Sequence, residues 1–130
     1  MCWALAACLS ASPSQGATFL RCDVTRTVNQ SGRSVTAEKI DIYKIAGSDI
    51  KWWSFENKKW IDLCATDENT CAVDRNSYRH DYTRSDGSAK MSLVIRSDTG
   101  DLIENVIDTG PSAMSWSKKG KCAPTTDPSN

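Results

Sequence analysis

From residue 18 onward, apolar side chains fall at alternate positions in short runs, each cut by a turn signal. Met91, Leu93 and Ile95 alternate with Lys90, Ser92, Val94 and Arg96, which suits a half-buried strand. Runs at 18–28, 35–45, 50–55, 60–64, 78–84, 90–96, 102–107 and 113–117 read as strands. Between them stand Asn29-Gln30-Ser31-Gly32, Gly47-Ser48, Glu56-Asn57-Lys58-Lys59, Asp86-Gly87, Asp98-Thr99-Gly100-Asp101 and Thr109-Gly110-Pro111. Asp86-Gly87 is the strongest hairpin signal among them. No segment sustains helical periodicity for three turns, so crossover helices and a parallel sheet are not expected. The pattern predicts an all-β domain, a small antiparallel meander of about eight strands. Eight is a number that closes into a barrel, with a two-sheet sandwich as the alternative.

The hairpin across 50–63 is unusual in being apolar on both sides. A two-residue loop at Asn57-Lys58 would set Glu56 opposite Lys59, Phe55 opposite Trp60 and Trp53 opposite Asp62. One face then carries Trp53, Phe55 and Trp60; the other carries Ile50, Trp52, Ile61 and Leu63. One of them can be core. The other lines a cavity, lies under a loop or meets a partner. Tyr78, His80 and Tyr82 share a face of a later strand. A histidine between two tyrosines suits a hydrogen-bonded interior position, a polar ligand or, least of all, a general base. Asp81 points the other way and cannot orient His80, and no G-x-S-x-G elbow is present, so hydrolase chemistry is disfavoured.

Cysteine usage adds a compartment. Residues 1–17 carry no charged side chain, and Cys2 to Ala11 is long enough for a signal h-region. Within it, Leu5-Ala6-Ala7-Cys8 reads as a lipobox with Cys8 as the lipidated residue, although no Lys or Arg precedes Arg21. Lipoprotein and ordinary cleaved secretion are both open. Cys22, Cys64, Cys71 and Cys122 remain, and four cysteines allow three connectivities. Cys64–Cys71 closes a short loop and Cys22–Cys122 a very long one, which removes the most unfolded-state freedom. Closing a barrel would bring the first and last strands together, as that second bridge requires. The organisation expected is a leader at 1–17, one disulfide-stabilised domain at 18–123 and a flexible tail at 124–130.

Charge changes the picture by exclusion. Sixteen basic and sixteen acidic residues cancel, so nothing attracts nucleic acid or an anionic membrane, and no apolar run spans a bilayer. One histidine and no C-x-x-C spacing argue against zinc; no metal or cofactor is expected. Asp98 and Asp101 beside Gly100 form an incomplete calcium pattern, better read as a turn. Lys118, Lys119 and Lys121 read as a solvated basic turn.

Phe19-Leu20-Arg21-Cys22, Ile95-Arg96-Ser97-Asp98-Thr99-Gly100 and Gly120-Lys121-Cys122 form a pattern that resembles small exported proteobacterial β-proteins of unassigned function. More distantly the chain is similar to C-type lysozyme inhibitors, small β-barrels with early and late cysteines bridged. Their S-G-x-x-Y motif has as its nearest counterpart Ser85-Asp86-Gly87-Ser88, without the tyrosine. The resemblance implies an envelope β-protein and supplies no catalytic residue. The expectation is an exported, periplasmic or lipid-anchored, non-catalytic binding module. It would act as a monomer on a small ligand or an envelope protein, with an envelope hydrolase-inhibitor role as one alternative and a His80 hydrolase as another. Trp53, Phe55, Trp60, Tyr78, His80 and Tyr82 are the candidate contact residues.

Overall fold

The computed structural model describes residues 16–111 and 113–130 as one antiparallel sheet of nine strands. They are β1 (Thr18–Gln30), β2 (Arg33–Ala46), β3 (Asp49–Ser54), β4 (Lys59–Asp62), β5 (Asn69–Val73), β6 (Ser77–Thr83), β7 (Ala89–Arg96), β8 (Asp101–Asp108) and β9 (Met114–Pro124). The spatial order is β4-β3-β2-β1-β9-β8-β7-β6-β5, so every sequential pair is adjacent except β4 and β5. The leader and Cys8 lie outside the described residues. Among the described residues no helix is long and apolar enough to cross a membrane.

The first and last strands do meet. β1 and β9 pair over eleven residues, and their register sets Cys22 opposite Cys122, where the two are bonded. The expected Cys64–Cys71 bridge is also present. The meander curls into a half-barrel, but no ladder joins β4 to β5. Strand parity explains that seam. Nine strands alternating in direction leave the two end strands parallel, and an antiparallel ring needs an even number. Parallel neighbours need a connection of about a dozen residues or more, whereas only 63–68 separate β4 from β5. The disulfide ties the edges that hydrogen bonds cannot.

β5 is the strand missing from the sequence-based count. It lies within and just beyond the cysteine loop, and its Asn69-Thr70 start and short length give no apolar alternation. β9 is the second difference: it extends through Pro124 rather than ending near residue 117, so the three lysines lie on a strand and not in a turn. Thr125 then donates its N–H to the Phe19 carbonyl at 2.9 Å.

The inner face of the sheet carries the core: Leu20, Cys22, Val24, Tyr43, Ile45, Ile50, Leu93, Ile95 and Leu102. The three quoted motifs converge at one end of it. The Gly100 carbonyl accepts the Cys122 N–H at 2.7 Å. Gly100 has φ +79°, and a Cβ there would collide with the Cys122 carbonyl. A Cβ on Gly120 would collide with Asp23 and Val24 of β1. These motif residues build the joint around the Cys22–Cys122 bridge. Asp98 and Asp101, read above as an incomplete calcium pattern, pair with Arg96 at 3.0 Å and Lys121 at 2.8 Å.

Candidate functional site

The β3–β4 hairpin differs from its expected register by two residues. Trp53 pairs with Trp60, Ser54 with Lys59 and Lys51 with Asp62, leaving a four-residue loop. The Ser54 carbonyl accepts the Lys58 N–H at 2.7 Å, and Lys58 takes φ 53°. A two-residue slip preserves the faces because the side-chain period is two. Trp53 and Trp60 therefore still share one face, with Trp52 on the other, but Phe55 leaves the strand for the turn.

Trp53 and Trp60 lie on the outer face. Their ring centroids are 5.2 Å apart in an edge-on arrangement, and Phe19 stands 5.9 Å from Trp60. The Lys44 ammonium sits over Phe19 and Trp60 at 5.8 and 5.9 Å. Trp53 is only 6% exposed, so it serves as packing, whereas Phe55 is 52% exposed.

Tyr78, His80 and Tyr82 share one strand face as expected, and it is the inner one, but they line different spaces. Tyr78 lines a cleft of about 330 Å³ beside Leu20, Ile95 and Cys122. Tyr82 hydrogen-bonds Arg84. His80, 2% exposed, borders a separate cavity of about 110 Å³ with Tyr43, Trp52, Leu63, Met91, Leu93, Glu104 and Lys118. Asp81 points outward and pairs with Arg79 at 3.6 Å.

This cavity is lined by buried charge. Lys118 follows the inward parity of β9 and extends to Asp41 of β2 at 2.9 Å and Glu104 of β8 at 3.4 Å. Its side chain is 12% exposed, which corrects its reading as part of a solvated turn; Lys119 and Lys121 are the exposed members. The Trp52 indole N–H donates to the other Asp41 oxygen at 3.2 Å. Tyr43 packs beside them; burial, and then the charges of Asp41 and Glu104, push its phenol well above its usual pKa of 10.0.

The hydrogen-bond network sets the His80 tautomer. Asn69 donates its amide N–H to Thr66 at 2.7 Å, which turns its oxygen toward His80 Nε2, also at 2.7 Å. With that oxygen as the acceptor, Nε2 donates its proton to Asn69. Nδ1 is buried, with no close side-chain or backbone hydrogen bond among the described residues. Burial lowers the His80 pKa below 6.5, against smaller opposing effects of Asp81 and the Leu63 backbone. Further along the same inner face of β9, Trp116 Nε1 is likewise buried and unpartnered, with the Arg26 guanidinium 5.2 Å from its ring centroid.

Sequence reasoning found His80 and missed Asp41, Glu104 and Lys118. The available signal was phase. Asp41 is in step with Tyr43 and Ile45, and Glu104 with Leu102 and Val106, so each charge occupies an inward position of a half-buried strand. No protein-family model matches the chain, and a search of curated proteins finds no significant match.

Proposed function

We propose that this domain is an exported, non-catalytic binding module that takes a small polar ligand, or one polar group of a larger one, into the cavity beside His80. The observation that carries the reading is a buried histidine on a cavity lined by the Asp41–Lys118–Glu104 charges. Burying ions is costly, and a well-packed apolar replacement of a buried ion cluster is often as stable or more so, so fold stability alone gives little reason to place three ions there. A perturbed titratable group in a concave site is the usual mark of a binding or reacting centre. With its Nε2 held by Asn69 and Asp81 turned away, His80 lacks the orienting carboxylate of a triad, which favours binding over hydrolysis. The two disulfides are compatible with an oxidising compartment.

The cavity offers about 110 Å³, well above the ~10–15 Å³ that one water needs. The part of a ligand held there is therefore small. Titrating small polar compounds while following the His80 imidazole and Trp52 indole by NMR tests the reading. Shifts are expected at these two residues and not at Trp53 or Trp60. Binding that moves only the outer aromatic residues would overturn it.

A second reading rests on a separate observation. β3 pairs only with Tyr43–Ala46 of β2, which leaves 33–42 without a partner on that side among the described residues, with 33–40 exposed. Such an edge is suited to receiving a strand from a protein partner. Slowed amide exchange along 34–40 in a complex would support that reading, and unchanged exchange there would reject it.

A further inference from the structure

Resting on the reading of β2 as a receiving edge, we infer that its partner is an extended protein segment with acidic side chains on one face. Register supplies the hydrogen-bonding side of the argument. Gln30 and Arg33 flank a two-residue turn in which Ser31 and Gly32 both take positive φ, the hairpin type that bonds its flanking residues to each other. Backbone groups alternate in direction from there, so residues 34, 36, 38 and 40 turn their N–H and C=O away from β1, toward the open side. An extended polypeptide answers such a row of donors and acceptors; a nucleic acid does not.

Strand phase supplies the side-chain chemistry. Arg33, Val35, Ala37 and Lys39 are in step with Asp41 and Tyr43, so they lie on the inner face in the order cation, apolar, apolar, cation. Arg26 of β1, paired with Ala37, adds a third cation to that face. Among the described residues none of the three has a carboxylate partner. Arg26 stacks on Trp116 instead. Asp41, the next inward residue of β2, has both oxygens committed, to Trp52 and Lys118.

That pattern selects among occupants. A second copy added antiparallel about a two-fold axis sets inner face beside inner face and gathers the Arg33 and Lys39 of both copies on one surface. Residues 1–15 carry no charged side chain and offer these cations nothing. An acidic segment fits, because directly opposed residues of an antiparallel pair share a face. Carboxylates six residues apart would stand opposite Lys39 and Arg33, with apolar residues between them opposite Ala37 and Val35.

Three blocked heptapeptides test the inference against the full chain at pH 7.5 and low salt. All have lysine second, to face Glu38, valine third and fifth, threonine fourth and serine sixth. The first and seventh residues are both glutamate, both glutamine or both lysine. The readouts are amide exchange and NMR shifts at 34, 36, 38 and 40. The glutamate peptide is expected to slow exchange there and to bind about fivefold more tightly than the glutamine peptide, the scale of two cross-strand ion pairs. The lysine peptide is expected to bind weakest, and added salt to narrow the differences. Arg33→Glu with Lys39→Glu changes two exposed side chains, so the variant is expected to keep its Tm and to reverse the order of the peptides. Equal affinity for the glutamate and glutamine peptides, or an unchanged order in the folded double variant, would overturn the acidic partner and leave the edge reading standing. Silence of all four amides toward all three peptides would remove both. Protection at 34–40 that grows with protein concentration before any peptide is added would assign the edge to a second copy and overturn the inference.

Discussion

Two groups of aromatic residues sit back to back on this sheet, and they are built in opposite ways. On the outer face Phe19, Trp53 and Trp60 pack ring against ring under Lys44, with no buried ion pair among them. On the inner face Trp52, Tyr43 and His80 surround Asp41, Glu104 and Lys118. The outer group has the greater concentration of tryptophan and the clearer sequence signal. The inner group has the unmatched hydrogen-bonding atom and the unbalanced charge. Aromatic density marks where area is buried; unsatisfied polarity marks where something can bind.

The largest expected effect separates the two groups most sharply. Lys118→Ala leaves two carboxylates buried without their cation and is expected to cost about 3–5 kcal/mol in urea denaturation. Replacing the whole triad, as Asp41→Leu, Glu104→Leu and Lys118→Met together, is expected to be neutral or to stabilise by about 1–4 kcal/mol. If the triple variant loses as much as the single one, the inner group is structural after all and the contrast fails. Trp53→Ala comes next, at about 3 kcal/mol for emptying a large buried site. Its signature is lost stability with the His80 and Trp52 resonances unmoved. A shift of those resonances would show that the two faces are coupled through the β3–β4 hairpin.

Much of this architecture is legible in the chain because period two and turn chemistry are local. Met91, Leu93 and Ile95 define their strand on sight, and the spacing of Cys22 and Cys122 already points to adjoining first and last strands. What escapes is whatever depends on distant partners. Asn69-Thr70-Cys71 reads as loop because its ladder is made with β6, and the absence of closure follows from a strand count that a single missed strand alters. Lys118 reads as solvated because its carboxylates come from residues 77 and 14 positions away. His80 was legible as a candidate, but its bond to Asn69 and the charges beside it come from other strands, which no spacing rule reveals.

A smaller effect follows from protonation. His80 is the sole histidine, and burial lowers its pKa below 6.5 in the folded chain. The unfolded chain then binds the proton more readily, so stability is fully present above about pH 6.5 and falls as pH drops through the folded value. Asp74, Asp86, Asp98, Asp101 and Asp127 are held below their usual 3.8 by hydrogen bonds, chiefly from neighbouring Ser, Asn, Arg or Lys groups. Their contribution is present above about pH 3.8 and is lost only under stronger acid. Tm between pH 7.5 and 5 therefore reports on His80, and His80→Phe is expected to flatten that slope. An unchanged slope would assign it to another group and weaken the case for a neutral imidazole facing the cavity.

The smallest expected effect tests whether an aromatic residue outside both groups matters. Phe55 projects from the β3–β4 turn and is 52% exposed, so Phe55→Ser removes little packed area and is expected to change stability by less than about 0.5 kcal/mol. Its backbone is held independently of the ring, by the Ser54 carbonyl to Lys58 N–H bond and by the Ser54 hydroxyl, which accepts the Asn57 N–H at 3.1 Å. The variant should therefore keep the turn, the Trp53–Trp60 pair and the titration of the inner cavity. A single exposed phenylalanine is an ordinary surface feature. If Phe55→Ser instead abolished binding of a partner while a small polar compound still shifted His80, the turn would be a contact point of its own. The contrast between packing outside and binding inside would then need a third, protein-facing region at the hairpin tip.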